Sequence, residues 1–416
     1  MFDRNTVRMY EMGFGDCFLV TFWEGVSGGS ILFDCGSINR PKAEVAKVAS
    51  DVVASCTGAD GIARLALVVC THRHKDHVSG FDDAIWSKVE VGEVWMPWTE
   101  HPTDPEATRI RERQSSFAKT LFRALGADLA PDAMPLAAGA TDERSAAQAM
   151  ALNALTNEKA MATLHRGFAG GPRRRFLPLK GSSAQVRTIA QLPGVRFHIL
   201  GPSRIESVIK AMDPPAGGAY LAMAGATTSP ARAGACHARW RVDEQDFMSQ
   251  RAARSTFTTK DKKAVDEMAD EPHGDLAAAI AQAVNNTSLV LMIEAGEQFL
   301  LFPGDAQWGT WRAILEDRAL AHLLESTTML KVSHHGSHNG TPKELVETIL
   351  RKGTVSLVST SSVKQWPDVP RAPLMEALAA KTILARSDEQ AKLIRKKCFI
   401  SKDGYVEWET KVGREP

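Results

Sequence analysis

The stretch Thr71-His72-Arg73-His74-Lys75-Asp76-His77-Val78-Ser79-Gly80 (THRHKDHVSG) follows without a break on the apolar run Leu65-Ala66-Leu67-Val68-Val69-Cys70. The run is almost wholly aliphatic, as a strand covered on both faces would be. The stretch after it spends three of only twelve histidines in 416 residues within six positions, with Asp76 among them. Imidazole nitrogens and a carboxylate are ligands that a borderline metal such as zinc accepts at neutral pH, and a loop leaving a rigid strand lets near neighbours converge. Each residue alone is an ordinary polar strand end; His72, His74, Asp76 and His77 together point to a metal site.

The flanking sequence predicts an α/β layer around that loop. Residues 17–23 and 30–34 are β-rich, and Gly25, Gly28 and Gly29 between them suit a hairpin-like connection. Residues 41–55 place Val45, Val48, Ala49, Val52 and Val53 at helical spacing, with Asn39 as a cap and Pro41 in the first turn. Further on, residues 195–200 read as a strand, 288–294 and 298–302 as the clearest hairpin, and 308–325 as a helix. Strands are expected again at 329–333, 355–359, 398–401 and 405–408. The stretches 100–190 and 205–275 break this rhythm. The first carries helical segments at 106–125 and 143–164, and the second is poor in aliphatic periodicity, so both read as insertions in a single domain over 1–416.

Two later strands also release ligand-type residues at their carboxyl ends. LLFPGDAQ (300–307) delivers Gly304-Asp305, and LKVSHHGSHNGTP (330–342) delivers His334, His335 and His338. Three strand ends of this kind predict one shared site at one edge of a sheet sandwich.

His72-x-His74-x-Asp76-His77, then Gly304-Asp305, then a late histidine resembles the pattern of the metallo-β-lactamase superfamily. GFGDCFLV (13–20), ILFDCGS (31–37), NNTSLVLMIEAGEQFLLFPGD (285–305) and LKVSHHGS (330–337) are similar to successive motifs of ComEC-type metallo-β-lactamase domains. The resembling blocks run over about residues 7–90 and 190–362, and the membrane channel of ComEC proteins has no counterpart. The resemblance implies a four-layer αββα sandwich with two divalent ions between its sheets, zinc first and manganese as its rival. His72 and His74 would hold the first ion, Asp76 and His77 the second, and Asp305 would bridge them. One of His334 and His335 would complete the second site, His335 being favoured because His334 lies nearer the strand body. The further histidine common in the superfamily is replaced here by Asn285-Asn286-Thr287-Ser288, which leaves the first ion one protein ligand short. His198 is the alternative at that position, although strand alternation favours a structural role for it.

Such a pair of ions would supply hydroxide at neutral pH, with Asp76 orienting the nucleophile or accepting its proton. Ser337, Asn339 or Asn286 would meet the developing charge. Asp34 ends a strand that feeds the same edge, and Asp16 stands either as a turn cap or as a supporting carboxylate. The ComEC-type motifs favour a phosphodiester substrate, either nucleic acid or a small nucleotide-like diester. Arg173-Arg174-Arg175, Lys180, Arg73 and Lys75 are cations for its phosphate, unless they are simply solvated. The alternatives are a hydrolase of lactone, thioester or β-lactam substrates, and a metal-binding interaction module that docks a protein partner through the insertions.

Composition narrows these readings. Fifty basic and forty-nine acidic residues leave a net charge of +1, which is unlike a generic nucleic-acid binder. The start lacks signal-peptide character, no stretch is apolar enough to span a bilayer, and the six cysteines follow no CxxC or regular spacing. A cytoplasmic protein is expected, with no membrane partner.

Overall fold

The computed structural model describes residues 2–124, 157–181, 185–211, 214–215, 217–220, 284–363, 367–390, 399–402 and 404–411, with side chains for 117–124 excepted. It is a mixed α/β structure of two mixed sheets with several helices. The first sheet begins with β1 (Arg4–Tyr10), β2 (Phe18–Glu24), β3 (Ser27–Phe33), β4 (Arg64–Val69), β5 (Glu90–Pro97) and β6 (Arg173–Leu177). The second contains β7 (Gln185–Arg187), β8 (Val195–Gly201), β9 (Val290–Ala295), β10 (Gln298–Phe302), β11 (Met329–Lys331), β12 (Val355–Val358) and β13 (Ile383–Arg386). The chain then returns to the first sheet through β14 (Phe399–Lys402) and β15 (Tyr405–Lys411). Sheet orders are β14-β15-β1-β2-β3-β4-β5-β6 and β13-β12-β11-β10-β9-β8-β7.

The β2–β3 hairpin pairs Glu24 with Ser27, so Gly25 and Val26 make a two-residue turn in which Gly25 takes φ 61°. From β3 to β6 the pairing is parallel, as it is from β10 to β13. Strands in these two runs therefore release their loops at the same end.

Each sheet is covered on both faces. Between the sheets Phe33 stacks on Phe302 at 4.0 Å, and Trp95 meets Phe197 edge-on at 5.0 Å. The Phe33–Phe302 pair bears on function because Asp34 follows the first ring and Pro303-Gly304-Asp305 the second. The outer face of the first sheet buries Val45, Ala49 and Val52 of α1 (Lys42–Ser55). One helical turn, α2 (Lys75–Val78), carries part of the histidine stretch. Ala107 and Ile110 of α3 (Pro105–Ala124) pack with Trp98, while Ala160 and Met161 of α4 (Glu158–Ala162) join α1. Ile209 of α5 (Glu206–Lys210) also packs with Trp98. The outer face of the second sheet buries Trp311 of α6 (Trp308–Glu316), Leu320 of α7 (Arg318–Leu324) and Leu374 of α8 (Ala372–Lys381).

The expected helix over 308–325 is two helices. Asp317 ends α6 in extended geometry, and its carboxylate accepts from the Ala319 and Leu320 amides to start α7. The stretch 100–190 is not solely an insertion, since it supplies edge strands β6 and β7. Most of 205–275, residues 143–156 of the helix expected at 143–164, Cys236 and Cys398 lie outside the described residues. Cys17, Cys35 and Cys70 are buried and Cys56 half-buried, all as free thiols. Among the described residues no helix is long and apolar enough to cross a membrane.

Candidate metal centre

Asp34 organises the start of the histidine loop. Its Oδ1 accepts from the Thr71 amide at 2.7 Å, and its Oδ2 from Thr71 Oγ1 at 2.6 Å and His77 Nδ1 at 2.8 Å. To aim that carboxylate the residue takes φ 52°, a left-handed conformation costly to a side chain with a Cβ. Behind it, the Asp16 amide donates to Asp76 O, Cys35 N to His77 O and Gly36 N to Asp16 O. The N-terminal turns thus lie directly against α2. Gly304 closes the other side at φ 57°, where a Cβ would sit 2.8 Å from Thr71 Cβ.

Asp76, His77, Asp305 and His335 converge there, each buried, with one ligand atom from each lying within 4.8 Å of all the others. His77 Nε2 is 3.2 Å from Asp305 Oδ2 and 3.8 Å from Asp76 Oδ2. His335 Nε2 is 3.2 Å from Asp76 Oδ2 and 3.6 Å from Asp305 Oδ2. Both rings are oriented from behind. His77 Nδ1 donates to Asp34, and His335 Nδ1 donates to the Ser359 carbonyl at 2.9 Å, so each Nε2 faces the carboxylates.

His72 and His74 stand beside this group, their Nε2 and Nδ1 3.1 Å apart. Thr71 Oγ1 spends its hydrogen on Asp34, so at 3.2 Å it accepts from His72 Nδ1, which leaves His72 Nε2 as a lone pair. Two imidazole nitrogens on one zinc, at bonds of about 2.0–2.1 Å and tetrahedral angles, lie about 3.3 Å apart. The observed spacing fits such a pair, and His74 Nε2 is buried without a hydrogen-bond partner.

The charge balance also calls for a cation. Asp16, Asp34, Asp76 and Asp305 are buried together, and Lys331 is the buried lysine among them. Burial opposes charge on His77 and His335, yet Asp305 and its carboxylate neighbours hold both imidazoles above their usual range. Burial likewise opposes ionisation of Asp76 and Asp305, but His77 leads the charges that hold both carboxyls below theirs. Burial lowers His72 and pushes His74 down to about 4. Protons on two imidazoles therefore stand where a divalent ion would supply the charge. The group could hold a metal ion.

His334 and His335 both take left-handed backbone, at φ 51°, which turns the adjacent imidazoles in different directions. His334 Nδ1 donates to Asn339 Oδ1 at 3.1 Å, and its Nε2 accepts from Asn285 Nδ2 at 3.0 Å. Both nitrogens are thereby used by protein groups, so of the two histidines it is His335 that joins the ligand group. His338 stands apart, near Arg371. The Asn286 amide donates to the Val208, Ile209 and Ala211 carbonyls and accepts from the Gln307 and Thr310 amides. That amide is engaged by backbone groups of residues 208–211 and 307–310. Ser337 donates to Asn339 at 3.2 Å, within the His334 network. Ser288 Oγ, 3.3 Å from His72 Nδ1, accepts from the Asp305 amide and fixes that turn. His198 pairs with Glu294 at 2.7 Å on β8, well occupied as a structural residue. Arg173–Arg175 lie along β6, where Arg175 is paired with Glu93 and Arg174 donates to the Leu164 and Pro172 carbonyls.

Lys331 was not anticipated as a site residue. Its Nζ reaches Asp16 Oδ2, Asp305 Oδ1 and the Gly304 carbonyl, so one oxygen of Asp305 is held by lysine while the other faces the histidines. The signal was a lysine at the end of an otherwise apolar buried strand, Met329-Leu330-Lys331, three residues before the histidine pair. The same lysine ties the Asp16 carboxylate to Asp305. Compared with protein-family models and with curated proteins, the chain gives no match.

Proposed function

We propose that the protein is a metal-dependent hydrolase with the αββα metallo-β-lactamase fold, of ComEC type, acting on a phosphodiester. The observation that carries this reading is the convergence of Asp34, the 72–77 ligands, Asp305 and His335, from four strand ends, on one buried acidic cluster. Asp76, His77, Asp305 and His335 would hold one ion, and His72 and His74 a second, with Asp305 shared. A bound divalent ion supplies Lewis acidity toward a phosphoryl oxygen and makes water acidic enough to attack at neutral pH.

The chain's own groups set the conditions for that chemistry. Asp34 fixes the His77 tautomer, and the Ser359 carbonyl fixes that of His335. Asp76, held ionised by its histidine neighbours, is the acceptor for the proton of the attacking water. Lys331 holds Asp305 in one orientation and offsets part of the carboxylate charge.

The test is metal content together with zinc- and manganese-dependent hydrolysis of bis-p-nitrophenyl phosphate, wild type against a His72→Ala, Asp76→Ala double variant. Turnover in the wild type and its loss with the metal in the variant is the expected result. Bound metal with turnover of p-nitrophenyl acetate or a lactone in place of the diester would move the reading to carboxylic substrates. Bound metal without turnover of either would leave a binding module.

A further inference from the structure

The cation between the two first histidines has a setting that the ligand cluster does not explain. Arg73 extends toward Glu100, with Nε 3.9 Å from Oε1, too far for a hydrogen bond. That Nε is buried without a hydrogen-bond partner, and so is Thr99 Oγ1 next to it in sequence to Glu100. Arg111 approaches from α3, donating to the Thr99 carbonyl and, at 2.9 Å, to the His101 carbonyl. Glu100 thus sits amid two guanidiniums, and it is the one carboxylate within ion-pair distance of Arg73 among the described residues. His165 shares this field, feeling the charges of Glu100, Arg111, Arg73 and Arg166.

Rings border the same cations. Phe176 on edge strand β6 has His101 at 4.7 Å and His165 at 5.8 Å, the latter nearly parallel at 26°. All three are half-buried rather than sealed in the core. A surplus of guanidinium beside partly exposed rings is the chemistry that receives an anion attached to an aromatic base. Arg73 is bonded in the chain to both His72 and His74.

We propose that Arg73 and Arg111, with the His101–Phe176–His165 rim, form a subsite for one nucleotide unit, its phosphate on the guanidiniums and its base against the rings. This deepens the phosphodiester reading and rests on it for the reaction, though not for the binding. The subsite selects the nucleotide adjoining the scissile diester, whether from a free nucleotide ester or from a single strand of nucleic acid.

Two measurements on the metal-loaded full chain test it, with Phe176→Leu and Arg73→Gln as variants whose metal content and circular dichroism are checked first. Calorimetry with 5′-AMP and with inorganic phosphate is expected to show AMP bound about tenfold more tightly, the scale of one stacked base. Phe176→Leu should erase that preference, and Arg73→Gln should weaken both ligands. Kinetically, kcat/KM for thymidine 5′-monophosphate p-nitrophenyl ester relative to ethyl p-nitrophenyl phosphate should fall about tenfold in Phe176→Leu. AMP bound no better than phosphate, or both esters affected equally, overturns the subsite even if the protein hydrolyses diesters. Phe176-dependent AMP binding without diester turnover keeps the subsite and removes the reaction. A short single-stranded oligonucleotide that competes at lower concentration than AMP identifies nucleic acid as the source, and equal competition identifies the free nucleotide; either supports the subsite.

Discussion

Lys331 Nζ lies 2.5 Å from Asp16 Oδ2, with both side chains 2% exposed and Asp305 Oδ1 3.2 Å from the same ammonium. Burial disfavours a charged lysine, yet Asp16 and Asp305 hold it above its usual range, so it stays charged. Lys331→Met keeps the apolar stem and removes that charge, which leaves the buried Asp16 without its closest cation and with only His77 Nδ1 at 3.7 Å and His335 Nδ1 at 3.6 Å among the described residues. The expected cost to the metal-free protein is about 3–5 kcal/mol, measured by urea unfolding with EDTA at pH 7. Adding Asp16→Asn should recover part of it, because the second change removes the carboxylate that has lost its closest cation. A Lys331→Met protein as stable as wild type would show that this pair does not hold the site together.

The two adjacent histidines should separate by function. His335→Ala removes a nitrogen that faces Asp76 and Asp305, so metal affinity should fall by at least about a hundredfold. His334→Ala breaks contacts to Asn285 and Asn339 but leaves the ligand group whole, and metal affinity should change by less than about tenfold. Competition against a chromogenic chelator measures both. Loss of metal in His334→Ala equal to that in His335→Ala would return His334 to the ligand set.

What could be read beforehand follows physical locality. His72 to His77, Asp305 and the histidine pair each follow an aliphatic run, so strand and ligands are encoded within a dozen consecutive residues. The polar strand β1 is different: it is sandwiched by β2 and by β15, the last strand, and Arg8 meets Glu407 at 2.8 Å. No local pattern announces a pairing across nearly the whole chain. Arg173–Leu177 reads as a basic surface tract because its neutralising partner, Glu93, is more than seventy residues away on β5. The partners of Asn286 were hidden for a related reason. A buried asparagine near ligands looks catalytic until the backbone groups that consume its amide, from residues 208–211 and 307–310, are brought beside it.

Acid should release the metal. In the metal-free protein at neutral pH, His77 and His335 are held above the usual imidazole range while His72 and His74 lie below it. The first two therefore keep protons on the nitrogens that a cation needs, and the second two are already neutral. Metal binding must displace those protons, so apparent affinity rises with pH and falls on acidification, by up to about tenfold per unit for each proton displaced. Zinc or manganese titrations in two buffers of different ionisation enthalpy count the protons, and between one and two are expected. A count of zero, with affinity flat in pH, would contradict this arrangement.

Asn286→Ala separates structural support from catalysis. The side-chain amide ties the 208–211 segment to the start of α6, and its loss takes a partner from the Ile209 carbonyl and from the Gln307 and Thr310 amides in a region where Asn286 itself has no exposure, while the Val208 and Ala211 carbonyls keep the Ala211 and Gly309 amides. Each buried group left unsatisfied costs about 1–3 kcal/mol before relaxation, so destabilisation of at least about 2 kcal/mol is expected. Because no ligand is touched, metal content per folded molecule should stay at the wild-type value, and kcat at a temperature well below Tm should fall by less than about threefold. Thermal unfolding and metal analysis on the same preparation decide the matter. A fall in kcat of a hundredfold or more, with Tm and metal content intact, would restore Asn286 as a group that acts on the substrate.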